Sequence, residues 1–201
     1  MIKLYFAPRT RAVRILWLLE ELGLPYELAR VDFKPTTDRF FIQDTPTGKL
    51  PTIEDDGLVM AESGAIIEYI LEKYGEGRLA PPPGSPARPA YLQWFHFAES
   101  TAFPPMGIVV WLTVYRTDAD KHPDVVADAT SRTQAGLDQV EAALAGNDYI
   151  LGQEFTAADI MLGFTLYAGQ ILNLLDERHV NIAAYLQRLG KRPALQKAMA
   201  A

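Results

Sequence analysis

Two places in this chain set charged or hydroxyl side chains at the start of a helical pattern, the part of a helix that attracts anions. Arg9, Arg11 and Arg14 crowd the first turn of an apolar-periodic stretch over residues 11–22. The helix dipole already places partial positive charge there, so each added cation is unfavourable by about 0.3–1 kcal/mol. Either these guanidiniums are solvated or paired with acids elsewhere, or an anion sits at the helix start and makes the charges useful. Glu62-Ser63 is the second place, just ahead of Ile66, Ile67, Ile70 and Leu71. Ser63 makes a good N-cap. A free helix start bearing a hydroxyl also takes a carboxylate, and Glu62 beside it can take an ammonium, so one zwitterionic amino-acid group would satisfy both. Leu50-Pro51 opens a strand, where proline is either an edge device or a cis turn that offers the Leu50 N–H and C=O to an extended peptide. Tyr5 lies toward the C-terminal end of the first strand, where ligands gather in open α/β sheets and where packing tyrosines are also common.

Other chemistries find no footing. The chain has no cysteine, which excludes disulfides, thiolate metal sites, Fe–S clusters and any mechanism using the protein's own thiol. His96, His122 and His179 are too far apart for a zinc motif, so no metal is expected. No GxSxG, GxGxxG or Walker sequence occurs. Thr156 and Asp159 form a capping box, with aspartate in place of the usual glutamate, and are read as structural.

The elements that must position these residues follow from periodicity. Residues 2–6 alternate and read as a strand; 11–22 carry apolar residues at three- and four-residue spacing, with Gly23 as the stop. Residues 26–33 read as a second strand, and a short helix is possible near 37–41. Residues 50–54 and 58–60 flank Asp55-Asp56-Gly57, a strong hairpin signal, and a helix runs from Ser63 to near Gly75. The order βαβαββα makes a compact α/β unit over residues 1–79. APPPGSPARP, residues 80–89, is a linker. Beyond it, over 86–201, only helices appear: 91–102, 106–115, 125–144, 156–175, 182–189 and a short piece after Pro193. Phe103-Pro104-Pro105 should kink or break the first of these. With prolines interrupting residues 103–115, no stretch is expected to reach the roughly 20 residues a bilayer requires.

The 201 residues are 49% hydrophobic and 22% charged, an ordinary globular balance. Net charge is −6 with no basic half or tail, which argues against nucleic acid as a partner. The opening MIKLYFAPRT has charge and proline where a signal peptide would be apolar, so a soluble cytoplasmic protein is expected, with no membrane partner.

Taken together these residues resemble a cytosolic glutathione S-transferase, and the resemblance covers essentially the whole chain. TGKLPTIEDDGLVMAESGAIIEYI, residues 47–70, is similar to the family's glutathione-binding hairpin and helix; RAVRILWLLEELGLPYEL and FTAADIMLG are similar to two further family segments. The resemblance implies a thioredoxin-like domain followed by an all-helical domain, usually in a homodimer, acting on glutathione and a small hydrophobic electrophile. It implies that Pro51 is the family's cis-proline and that Leu50 pairs its backbone with the cysteinyl part of glutathione. It implies that Glu62 and Ser63 hold the γ-glutamyl amino and carboxylate groups, with Lys49 near the glycyl or γ-glutamyl end. By the same resemblance Glu99 reaches the γ-glutamyl amine of the neighbouring subunit. Two positions remain open for the thiol-activating group. YFAPRTR aligns with the tyrosine classes and puts Tyr5 in that role; the serine and cysteine classes place the residue nearer the helix start, at Thr10, with Arg11 close enough to contribute. The apolar wall for the electrophile falls on Phe103, Met106, Val110 and Trp111.

The magnitudes suit such a site. A thiol of pKa about 8.5 is only about 3% ionised at pH 7, and lowering it by about two units costs about 2.7 kcal/mol. One or two hydrogen bonds to the thiolate, about 1.5–3 kcal/mol each, supply that without a metal. Three functions share this frame: transfer of glutathione to an electrophile, another glutathione-dependent reaction such as dehalogenation, lysis or peroxide reduction, and a binding module without turnover.

Overall fold

A computed structural model of the chain describes residues 1–33 and 44–201. Its contacts divide it into two compact units, one of Met1–Pro81 with Gly190–Ala201 and one of Pro82–Leu189. The first unit thus extends slightly past residue 79 and also takes the last twelve residues of the chain, which the sequence reading assigns to the helical part.

The first unit holds β1 (Ile2–Phe6), α1 (Ala12–Leu22), β2 (Tyr26–Arg30), β3 (Thr52–Asp55), β4 (Leu58–Ala61), α2 (Ser63–Tyr74) and, from the far end of the chain, α8 (Pro193–Ala200). The possible helix near 37–41 lies outside the described residues. The sheet order is β2-β1-β3-β4, with β1 parallel to β2 and antiparallel to β3, and β3 antiparallel to β4. This is a thioredoxin-like sheet. β2 stops three residues short of Phe33, and a further bond from Val31 N–H to the Phe6 carbonyl at 2.9 Å lies just beyond it. Ile2, Leu4 and Phe6 are buried together with Ile53 and the apolar positions of α1 and α2. α1 closes on Gly23 at φ 66°, a left-handed position that glycine takes without a Cβ penalty.

Carboxylates fasten α2 to the sheet and α8 to α1. Asp55, at the hairpin end of β3, is fully buried, and its Oδ2 accepts from Tyr69 Oη, Lys73 Nζ and Tyr74 Oη at 2.8, 2.8 and 2.7 Å. The C-terminal half of α2 is therefore clamped to the hairpin, and its N-terminus lies toward the opposite end of the sheet. α8 docks on α1, where Arg192 holds Glu21 through two hydrogen bonds of 2.6 and 2.8 Å. Lys197 pairs with Glu20 at 2.7 Å, and the buried Trp17 indole also donates to Glu21.

The second unit is all helical: α3 (Arg88–Phe97), α4 (Phe103–Val110), α5 (Pro123–Ala143), α6 (Ala157–Ile171) and α7 (Val180–Gly190). The proline step does not break the first of these. One helix runs from Arg88 to Tyr115, 28 residues, with π turns at Ala98–Ala102 and Trp111–Tyr115 on either side of α4. Pro104 and Pro105 have no N–H to return to the carbonyls four residues back, and widening the helix just ahead of them removes that demand. Thr165, buried on α6, donates to the Ala98 carbonyl at 3.1 Å, inside the first π turn. By length and composition this helix is long and apolar enough to cross a membrane, contrary to the sequence expectation. Here it packs its buried face, Tyr91, Phe95, Ala98, Ala102 and Met106, within the bundle.

The capping box at α6 forms as read, but its aspartate does more than cap. Asp159, fully buried, accepts from Ile150 N–H, Thr156 N–H, Thr156 Oγ1 and Tyr185 Oη at 2.9, 2.8, 3.1 and 2.8 Å. It joins the loop before α6 to α7. Asp159→Asn turns one acceptor oxygen into a donor facing these donors, and should cost about 3 kcal/mol in a chemical-denaturation measurement. Asp55 supplies a pH test. Burial pushes its carboxyl up, yet the bonds from Lys73, Tyr74 and Tyr69 outweigh that and hold it below its ordinary value of 3.8. Its stabilising contribution is therefore complete above that value and lost as the pH falls through the depressed one. The urea midpoint of the parent should drop as the pH is lowered from about 5 to about 2, and Lys73→Met should show a smaller drop.

Candidate functional site

The strand register brings three separated stretches to one end of the sheet. Tyr5 pairs with Thr52, and Thr52 with Ala61. One step further along each strand come Phe6, Pro51 and Glu62; the next step reaches Ala7, Leu50 and Ser63. The start of α1, the Leu50-Pro51 dipeptide and the start of α2 thus share one edge of the first unit.

The Leu50-Pro51 bond is cis. Leu50 is buried with Ala7 and Val31, and the rings of Tyr5 and Phe33 pack against that cluster. The loop leading into the dipeptide is pinned from below. Thr52, fully buried, donates to the Lys49 carbonyl at 2.7 Å and shares a short hydrogen bond with Thr47, while Lys49 N–H donates to Thr47 Oγ1 at 3.2 Å. The Lys49 side chain itself is exposed.

At the start of α2, Glu62 is exposed and Ser63 buried. Glu62 has φ 71° and ψ 109°, a conformation that costs a non-glycine residue about 1–3 kcal/mol and that accumulates at functional sites. Its side chain does not cap the helix. The first intrahelical bond runs from Ile66 N–H to the Glu62 carbonyl at 2.9 Å, so the N–H groups ahead of Ile66 form the anion-attracting end of the helix.

The three arginines of the first turn part company. Arg9 is exposed with φ 62° and Arg11 half buried. Arg14 is neither solvated nor at an open helix end: it is fully buried, and its Nη1 donates to Ser63 Oγ at 2.9 Å.

The two candidates for thiol activation differ in their surroundings. The Tyr5 hydroxyl donates to Glu54 on β3 in a short hydrogen bond, and Lys3 Nζ lies 4.9 Å from the ring centroid. Thr10 stands at the mouth of α1, half buried, donating to the Ala7 carbonyl at 2.7 Å and accepting from Ala12 N–H at 3.3 Å. No acidic side chain occupies the first turn of α1.

In the helical unit, Glu99 lies half buried in the first π turn. Met106 is a core residue, 1% exposed, with its methyl against Gly169 of α6. Phe103, Val110 and Trp111 are half buried. Trp111 alone of the four lines an open groove of about 470 Å³, together with Pro104, Gly107, Ile108, Leu112, Arg116, His122 and Val125. A helical spacing of four residues separates Pro104, Ile108 and Leu112, and that signal was present in the sequence. Thr52 carries no local signal, and Arg14 shows in the sequence only as a cation at a helix start, because their partners lie elsewhere in the chain.

Comparison with known proteins agrees with this architecture. A family model described as "Glutathione S-transferase, N-terminal domain" matches residues 1–72, and one described as "Glutathione S-transferase, C-terminal domain" matches residues 123–188. "Glutathione S-transferase 3" of Schizosaccharomyces pombe is 30% identical, with 96% of this chain and 85% of the relative aligned. "Glutathione S-transferase GstB" of Escherichia coli K12 is 32% identical over 94% of this chain and 92% of the relative. The crystal structure of a glutathione transferase homolog from Lodderomyces elongisporus, described as holding two GSH per subunit, superposes with a TM-score of 0.85 at 27% identity, covering 99% of this chain and 97% of that one.

The conformation at Glu62 is itself testable. Glu62→Gly relieves the positive φ, and after allowing for the greater freedom of an unfolded glycine it should raise stability by about 1 kcal/mol in urea denaturation.

Proposed function

The chain belongs to the glutathione S-transferase family, and from that premise we propose that it binds glutathione at the edge of the first unit and transfers it, as the thiolate, to small hydrophobic electrophiles. The observation that carries the reading is the alignment, by strand register, of the α1 start, cis Leu50-Pro51 and Glu62-Ser63. An extended tripeptide needs main-chain partners at its middle and charge partners at its ends, and these stretches offer both. Leu50 pairs with the cysteinyl backbone. Ser63 and the N-terminus of α2 take the γ-glutamyl carboxylate, Glu62 its ammonium, and Lys49 the glycyl end. Glu99 of the helical unit completes the ammonium site in a homodimer. The electrophile rests on the apolar residues of the helical unit, with Phe103, Val110 and Trp111 as its wall over Met106, and the protein works in the cytoplasm.

The thiolate is assigned to the start of α1. A phenol that already donates to a carboxylate would have to give up a charge-assisted bond to serve a thiolate, and Tyr5 stands in that position toward Glu54. Thr10 gives up only a bond to a neutral carbonyl, next to Arg11 and to the positive end of the α1 dipole. Tyr5 is then a packing residue.

The test is the pH titration of thiolate absorbance for bound glutathione. The parent should show a thiol pKa about two units below its free value, and Tyr5→Phe should keep that depression. Thr10→Val should return it by about one unit or more, the worth of one hydrogen bond to a charged group. A normal thiol pKa in the parent, with no conjugate formed across a panel of aromatic and alkyl electrophiles, would overturn the transferase reading.

A further inference from the structure

Lys49 is bound at both its main-chain groups by one chain of hydroxyls. Its N–H donates to Thr47 Oγ1 at 3.2 Å, and its carbonyl accepts from Thr52 Oγ1 at 2.7 Å. An N–H only donates and a carbonyl only accepts, so both hydroxyls must point the same way round this circuit. Thr52 gives its one hydrogen to the Lys49 carbonyl, and Thr47 therefore donates to Thr52 in the short bond between them. The circuit hangs from a fixed point. Thr52 is fully buried in β3, paired with Tyr5 on one side and Ala61 on the other. A buried hydroxyl there costs free energy that a valine would not, unless its hydrogen bonds are made, and here they are. What the hydroxyl adds is the direction of a peptide plane. The Lys49–Leu50 peptide is trans, so the Lys49 carbonyl and the Leu50 N–H point opposite ways across one rigid unit. With the carbonyl drawn toward Thr52, the Leu50 N–H is turned away from it.

We infer that Thr52, with Thr47, is a positioning residue for glutathione: the two hydroxyls hold the Lys49–Leu50 peptide so that the Leu50 N–H faces the cysteinyl carbonyl. This rests on the reading that Leu50 pairs its backbone with the cysteinyl part. Both threonines act through the peptide plane and do not touch the ligand.

Calorimetric titration of the folded protein with two ligands tests it. One is glutathione; the other has a trans alkene in place of the amide between its cysteinyl and glycyl residues. The alkene keeps the shape, the thiol and the end charges and removes the carbonyl in question. The parent should bind glutathione more tightly than the alkene. Thr52→Val should weaken glutathione about tenfold and the alkene less than about twofold. Thr52→Ser, which keeps the hydroxyl, should stay within about twofold of the parent on both. Thr47→Val, which cuts the circuit one link further back, should cost glutathione less than Thr52→Val does and again spare the alkene. In a Thr52→Val background it should cost little more, because the link it supports is gone. No loss on glutathione, equal losses on both ligands, or a loss in Thr52→Ser as large as in Thr52→Val would overturn the inference. If Thr52→Val does not fold, Thr47→Val carries the same comparison, and a loss shared equally by the two ligands overturns the inference there too. A parent that binds both ligands equally removes the Leu50 pairing, and one that binds neither removes the glutathione site. Either result overturns that reading and the inference with it.

Discussion

The pairing of Tyr5 with Thr52 and of Thr52 with Ala61 is the constraint on which the site depends. Side chains on a strand alternate, so a slip of one residue in the β1–β3 ladder would exchange the buried and part-exposed faces of β1. It would also move Pro51 or Glu62 out of line with the end of β1. The burial of Ile2, Leu4, Phe6 and Ile53 in the core of the unit helps to hold this alignment.

Both units use a buried carboxylate as a fastening, and the two differ in what they leave free. Asp55 gathers three donors from the C-terminal half of α2, which tethers the helix at the end remote from the site. Its N-terminus keeps its dipole for use at the opposite end of the sheet. Asp159 spends its oxygens at a helix start and on Tyr185, and so consumes the N-terminal capacity of α6 in structure. Glu141 does the same for α7, accepting from Asn181 and Ile182 N–H at 2.8 and 2.9 Å. Among these helix starts, the one at α2 is not capped by its own N-cap side chain.

Much of the frame was legible because its signals are local. β1 falls on residues 2–6 as alternation predicts, Gly23 ends α1, and Asp55-Asp56-Gly57 turns between β3 and β4. The cis bond at Pro51 was one of two readings that spacing left open. What failed to show was tertiary. Arg14 reads as a cation at a helix start, solvated, paired or set against an anion, and no local rule foresees its buried bond to Ser63, 49 positions away in sequence. Met106 looks like a wall residue until α6 is placed against it. Phe103-Pro104-Pro105 predicts a break because local rules count missing donors; they do not foresee a π turn that widens the helix beside a hydroxyl from another helix. Alternation carried β2 to Phe33, but alternation alone does not say where a neighbouring strand stops pairing.

The first unit is built from the two ends of the chain, and this sets an order on its assembly during synthesis. The ribosome releases residues 1–81 early, sheet and both flanking helices included, while residues 190–201 are still to be translated. Through that interval Trp17, Glu20 and Glu21 lack the helix that later covers and pairs with them. The unit that emerges first is therefore completed only after the helices of residues 82–189 have been made. A segment joined after Ala201 would be attached to α8, which is packed on α1.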